Sequence, residues 1–303
     1  MKQKYGLWLI TFLLLSFAHT VQAAVFCNVT SPGFSTAYVT ANTTTNITAA
    51  TFTVTCTRDN AGGRRNRNGA VSYQVTAGNG LQPTGTQNRA AKGAARLNYS
   101  VSTVATCATP WKGTTRLPTV AANFNMAVNT TVTNVYTFYG CIPALQAAAA
   151  PIGNYTDTVT MTIARPGGGG GGRGRVTFTN GTFPVVIIAP ASCTLTTPPA
   201  SVAFTYAAFR TTPAIASSSY ALTCSNLLPF TMALDATVGV VTGLNYALAL
   251  NTVNTGGVNP LTSVGNGLAK TFFINGTMAA GQAGACAAAA CTGTQARTLT
   301  ITY

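Results

Sequence analysis

The chain has 303 residues, with 17 Lys and Arg against 3 acidic residues and a formal charge of +14. That length accommodates about two domains of ~150 residues, and its 7% of charged residues compares with roughly 25% in an average soluble protein. With no Glu, one His and only Asp59, Asp157 and Asp235 as acids, most acid–base, nucleophilic and metal chemistries lack their groups. A two-carboxylate glycosidase would need two of those Asp residues to meet in one cleft. No enzyme activity, cofactor or metal is therefore expected.

Residues 1–23 read as a secretory signal peptide, with Lys2 and Lys4 ahead of the apolar run 7–18 and Val21-Gln22-Ala23 at the cleavage site. Cleavage would remove His19 and Trp8, leave Trp111 as the one indole and lower the formal charge to +12. The expected extent of the first domain is 24–165. An exported chain with eight Cys points to disulfides in an oxidising compartment. They fall four and four: Cys27, Cys56, Cys107 and Cys141, then Cys193, Cys224, Cys286 and Cys291. Four Cys allow three pairings in each half. The spacing of 29 from Cys27 to Cys56 recurs as 31 from Cys193 to Cys224, which favours those pairs, then Cys107 with Cys141 and Cys286 with Cys291.

Further segments repeat. Thr51-Phe52-Thr53-Val54-Thr55-Cys56 matches Ser218-Ser219-Tyr220-Ala221-Leu222-Thr223-Cys224 in character, and Leu97-Asn98-Tyr99 matches Leu244-Asn245-Tyr246. Thr137-Phe138-Tyr139-Gly140 faces Thr271-Phe272-Phe273 and Gly276. Each half ends in period-two alternation: Val159, Met161 and Ile163 between threonines, then Leu299 and Ile301 between threonines. One apolar and one polar face is how a half-buried antiparallel strand reads. The expected fold class is all-β, two tandem immunoglobulin-like antiparallel sandwiches.

Residues 166–182 form the expected linker: Pro166, the glycine run 167–172, Arg173-Gly174-Arg175, and a hairpin predicted from Asn180-Gly181 between two β-rich runs. The second domain is expected over 183–303. The stretch 183–188 has two readings: its alternate residues Phe183, Val185 and Ile187 fill a groove of domain one, or it opens domain two ahead of Cys193. Pro184 suggests a strand at a sheet edge.

The order Cys27, Cys56, Arg89, Leu97-Asn98-Tyr99, Trp111-Lys112-Gly113, Tyr139-Gly140, Gln146 and Tyr155-Thr156-Asp157-Thr158-Val159 resembles the spore coat protein U domain of archaic, Csu-type chaperone-usher pili. The second half is a looser copy, without the Trp-x-Gly segment or the Tyr-x-Asp pair. Two such domains in one exported chain are similar to the tip subunits of these pili. The resemblance implies that the C-terminal sandwich is incomplete and is completed by donor-strand addition. It implies as partners a periplasmic chaperone, an outer-membrane usher and the donor strand of the next subunit. Cleavage after Ala23 would leave only Ala24-Val25-Phe26 before Cys27, so this chain is expected to accept a strand and donate none. The expected function is surface attachment and biofilm formation at a pilus tip. The alternatives are a shaft or spore-coat-type subunit and a secreted polyanion-binding module.

Two segments are candidates for meeting an abiotic or host surface. Arg64, Arg65 and Arg67 form the densest cationic run, suited to anionic surfaces or to a solvated loop. Leu145 and Ile152 lie in an uncharged Ala- and Pro-rich stretch, which is either an exposed apolar loop or a covered connection. Aromatic residues are not interleaved with the basic run, so no nucleic acid is expected as a partner.

Overall fold

A computed structural model describes residues 25–38, 43–59, 69–146, 150–166, 176–286 and 290–303, and no helix among them is long and apolar enough to cross a membrane. The chain is all-β. Residues 1–23, expected to be a signal peptide, and Arg64, Arg65, Arg67 and the glycine run lie outside the described residues.

The first core is enclosed by strands β1 (Val25–Thr30), β2 (Phe34–Ala37), β3 (Asn46–Arg58), β4 (Gly69–Ala77), β5 (Asn88–Lys92) and β6 (Ala95–Ser102). It is completed by β7 (Leu117–Met126), β8 (Thr130–Ile142), β9 (Gly153–Ala164), β10 (Val176–Thr179) and β11 (Gly181–Ala189). One layer runs β10-β1-β3-β8, the other β7-β4-β9-β11-β2, and the β5–β6 hairpin joins them. Alternation decides which face turns inward. Tyr155, Val159, Met161 and Ile163 are buried while the threonines between them point outward. At the centre Trp111 stacks on Phe52, ring centroids 4.9 Å apart, and its Nε1–H donates to the Val75 carbonyl at 2.8 Å.

The second core is enclosed by β12 (Cys193–Thr197), β13 (Ala214–Cys224), β14 (Pro229–Leu234), β15 (Val238–Val241), β16 (Leu244–Asn251), β17 (Leu261–Val264), β18 (Ala269–Met278) and β19 (Leu299–Thr302). The layers are β12-β13-β18-β16-β15 and β17-β14-β19. The pairing of the central strands repeats that of domain one. β13 lies between β12 and β18 as β3 lies between β1 and β8, and β14 between β17 and β19 as β4 between β7 and β9. Among the described residues β10 and β11 have no counterpart in domain two.

Two expectations are corrected here. Asn180-Gly181 makes no hairpin: β10 runs parallel to β1 in one layer, and β11 pairs with β9 in the other. A type I′ turn needs positive φ at both central residues, and neither residue has it. Gly181 is required instead because a Cβ there would strike the Val29 carbonyl. The expected start of domain two at residue 183 also moves, to after Ala189. Phe183, Val185, Ile187 and Ala189 are buried in the first core, and hydrophobic contacts of that kind define the domain a strand belongs to.

Candidate strand-acceptor site

In domain one the site is filled. β11 lies between β9, to which it is antiparallel, and the short β2, to which it is parallel. Its Phe183, Val185 and Ile187 are fully buried, and the Phe183 ring centroid lies 5.0 Å from that of Phe138. Pro184 sits one residue ahead of the point where β2 begins to pair, so its missing N–H interrupts no β2 bond. The β2 side is held by side chains. Phe34 lies over Gly140, where any Cβ would collide with its ring. The Gln146 side chain bridges both backbone groups of Asn98, accepting its N–H at 2.7 Å and donating to its carbonyl at 3.0 Å. The Gln146 N–H donates to the Tyr38 hydroxyl.

Domain two repeats each of these devices. A Cβ on Gly276 would strike Phe204, and Gly276 holds the register in β18 that Gly140 holds in β8. Gln282 accepts the Asn245 N–H at 2.6 Å, donates to the Asn245 carbonyl at 2.9 Å, and its own N–H meets the Tyr206 hydroxyl at 3.0 Å. The segment 202–206 therefore takes the place of β2. No filling strand is found among the described residues. Among the described residues 202–206 pairs with no strand, and β19, the counterpart of β9, pairs with β14 alone. Val202, Phe204, Tyr206, Leu299 and Ile301 border the second core and stay half-buried, whereas Phe34, Tyr38, Val159, Met161 and Ile163 in domain one are buried. An open β edge beside a half-buried apolar row offers main-chain hydrogen bonds and side-chain pockets to one added strand.

The remaining candidate residues fall in several places. Disulfides join Cys27 to Cys56, Cys107 to Cys141, Cys193 to Cys224 and Cys286 to Cys291. Cys27 faces Cys56 across β1–β3, and Cys193 faces Cys224 across β12–β13. Leu145 is 82% exposed, with φ of 62°. Ile152 is not part of an exposed apolar loop. It packs against the second core, and its N–H donates to the Asn226 carbonyl at 3.1 Å, because the chain crosses there into contact with domain two. Arg64, Arg65 and Arg67 stand outside the described residues, but the flanking Arg58 and Gly69 pair with Thr130 and Met126 at the opposite end of domain one from Asn226.

The three Asp residues serve different surroundings. Asp157 is buried and accepts the Tyr99 hydroxyl at 2.6 Å and the Leu81 and Thr158 N–H groups at 2.8 Å each, which ties the loop after β4 to β9. Burial, and then the hydrogen bond and charge of Asp157, raise the Tyr99 pKa. Asp235 lies in domain two, 3.9 Å from Arg297, and Asp59 follows the end of β3. Sequence reasoning missed Phe204, Tyr206 and Gln282. The Gln146-to-Gln282 spacing from Gly140 and Gly276 was the available signal.

Residues 13–162 match the Spore Coat Protein U domain family. The chain carries a Spore Coat Protein U domain. A search of curated proteins returns no match. Among solved structures the chain is similar to the chaperone–tip adhesion subunit pre-assembly complex of archaic Csu pili from Acinetobacter baumannii, at 12% identity and TM-score 0.44, covering 91% of this chain and 100% of that one. It is similar to the CupB6 tip adhesin of Pseudomonas aeruginosa, at 9% identity and TM-score 0.42, covering 93% and 94%. A third likeness is to CfaE, the adhesive subunit of CFA/I fimbria of enterotoxigenic Escherichia coli, at 10% identity and TM-score 0.32, covering 86% and 88%. Likenesses this distant carry no argument for function. The internal repeat is the firmer observation: among the described residues domain two reproduces the pairing of β1, β3, β4, β7, β8 and β9 without the strand β11 that fills the groove of domain one.

Proposed function

We propose that this protein is an exported, surface-located tip adhesin of a chaperone-usher pilus, whose second domain accepts a donor strand first from a periplasmic chaperone and then, at the outer-membrane usher, from the next subunit. The observation that carries the reading is the contrast between the two grooves: β11 fills the first in cis, and the corresponding space between 202–206 and β19 is open. Membership of the first half in the Spore Coat Protein U domain family supports it. So does β1, which is paired with both β3 and β10 and locked by Cys27–Cys56, and so is committed to its own domain rather than free to enter another. An open groove in domain two is suited to accept a strand from another subunit, the role proposed for this chain at the fibre tip. Attachment to a surface and biofilm formation follow from that position, through Leu145 on apolar surfaces or through Arg64, Arg65 and Arg67 on anionic ones.

The test is co-expression with the pilus chaperone. Chain lacking residues 1–23 should copurify with chaperone as a 1:1 complex and aggregate without it, and Phe204→Asp with Ile301→Asp should abolish copurification. A wild-type chain that is monomeric, cooperatively folded and indifferent to chaperone would overturn the reading.

A further inference from the structure

The β5–β6 hairpin carries two arginines on its outward face. Arg89 lies opposite Asn98 and Arg96 opposite Ala91, alternating with the buried Asn88, Ala90, Leu97 and Tyr99. Both reach the same residue of the loop 81–87: Arg89 Nε donates to the Gln82 carbonyl at 2.9 Å, and Arg96 Nη2 donates to Gln82 Oε1 at 3.2 Å. Arg96 Nη1 also caps the Gly93 and Ala95 carbonyls at 2.6 and 2.9 Å. Lys112 approaches the other end of that loop and donates to the Thr86 carbonyl. None of the three makes an ion pair among the described residues, and all three are half-buried. Asp157, the carboxylate of this region, is turned inward onto Tyr99, Leu81 and Thr158.

Partly dehydrated cations that meet only neutral acceptors gain from an anion more than fully solvated ones do. Arg89 commits only its Nε, which leaves both terminal nitrogens as a fork for a planar oxyanion. The loop between the cations is built for neutral contacts. Thr84 and Gln87 exchange backbone hydrogen bonds at 3.1 and 3.0 Å around Gly85, whose φ is 57°, so Thr84 and Thr86 stand exposed beside Leu81, which is 68% exposed. The Arg89 guanidinium fork, two further cations, hydroxyls and a small apolar patch together match a sugar ring that bears a carboxylate. The loop and hairpin expose no aromatic ring on which a base would stack, which disfavours nucleic acid.

We propose that Arg89, Arg96 and Lys112, arranged around the loop 81–87, form a binding site for an acidic polysaccharide, held through its uronate carboxylates. The site is independent of the strand-acceptor reading and tested separately from it. Binding of the full chain freed of residues 1–23, in its chaperone complex or alone, is measured against polygalacturonate, neutral dextran and duplex DNA at two salt concentrations. Polygalacturonate should bind, dextran should not, and DNA should bind more weakly. Changing Arg89→Gln, Arg96→Gln and Lys112→Gln together should weaken polygalacturonate binding at least about tenfold and flatten its salt slope by about one per cation removed. Phenylglyoxal labelling of the wild-type protein provides a readout that needs no variant: polygalacturonate should protect Arg89 and Arg96. Tighter binding of DNA, equal labelling with and without polygalacturonate, or a folded triple variant with unchanged affinity would each overturn the proposal.

Discussion

If β11 completes the first sandwich, truncating its inward side chains should be among the most damaging changes in the chain. Phe183 and Ile187 are both fully buried. Phe→Ala in a core costs about 3–5 kcal/mol and Ile→Ala about 2–5 kcal/mol, the loss of transfer energy plus the cavity left behind. Four residues apart on one strand, the two sites are separated by roughly 13 Å, far enough for their effects to add. The double variant should then lose about 5–10 kcal/mol, comparable with the entire stability of a typical domain, about 5–15 kcal/mol. Urea unfolding followed by Trp111 fluorescence reads domain one alone, since no other Trp remains once residues 1–23 are gone. With a slope of about 2 kcal/mol per molar urea, Phe183→Ala should lower the midpoint by about 1.5–2.5 M. Ile188→Ala, on the same strand but 37% exposed and facing outward, should move it far less. If Phe183→Ala shifts the Trp111 transition no more than Ile188→Ala does, β11 does not complete the first core and the filled-versus-open contrast fails with it.

Alkaline pH should weaken both domains through their buried tyrosines. Burial raises Tyr99, Tyr136, Tyr38 and Tyr155 in domain one and pushes Tyr220 up to about 12 in domain two. The folded chain then holds protons that the unfolded chain releases near pH 10. Stability is complete below pH 10 and is lost as pH rises toward the raised folded values. Urea midpoints should fall between pH 9 and pH 11, and a flat profile would contradict the burial. At the surface, Leu145→Asp should reduce cell attachment to hydrophobic plastic without changing the melting temperature. Ile152→Asp should instead lower the melting temperature, because it sets a carboxylate against the second core. Equal attachment by wild-type and Leu145→Asp cells at matched surface levels would remove Leu145 from the adhesive surface.

Much of the architecture is local and therefore readable from the chain. Period-two alternation in 158–163 and 298–302 follows from the pleat, which sends successive side chains to opposite faces, and it marks β9 and β19 without any knowledge of their partners. The recurring Cys spacing and the repeated Leu-Asn-Tyr point to two copies of one domain, because similar sequence intervals between paired strands accompany a similar topology. Which sandwich a strand joins is not local. The stretch 183–188 reads the same whether it closes domain one or opens domain two, and only its contacts with Phe138 and its register with Val159 and Tyr155 place it in the first core. Asn180-Gly181 has hairpin composition, yet the strands on either side of it go to different layers, β10 beside β1 and β11 beside β9. Ile152 carries no sign of the second domain in its neighbours; the path of the chain past Asn226 alone turns it from solvent to core. Alternation and spacing are set by the covalent chain, whereas the partner of each edge is chosen by competition among apolar surfaces distant in sequence.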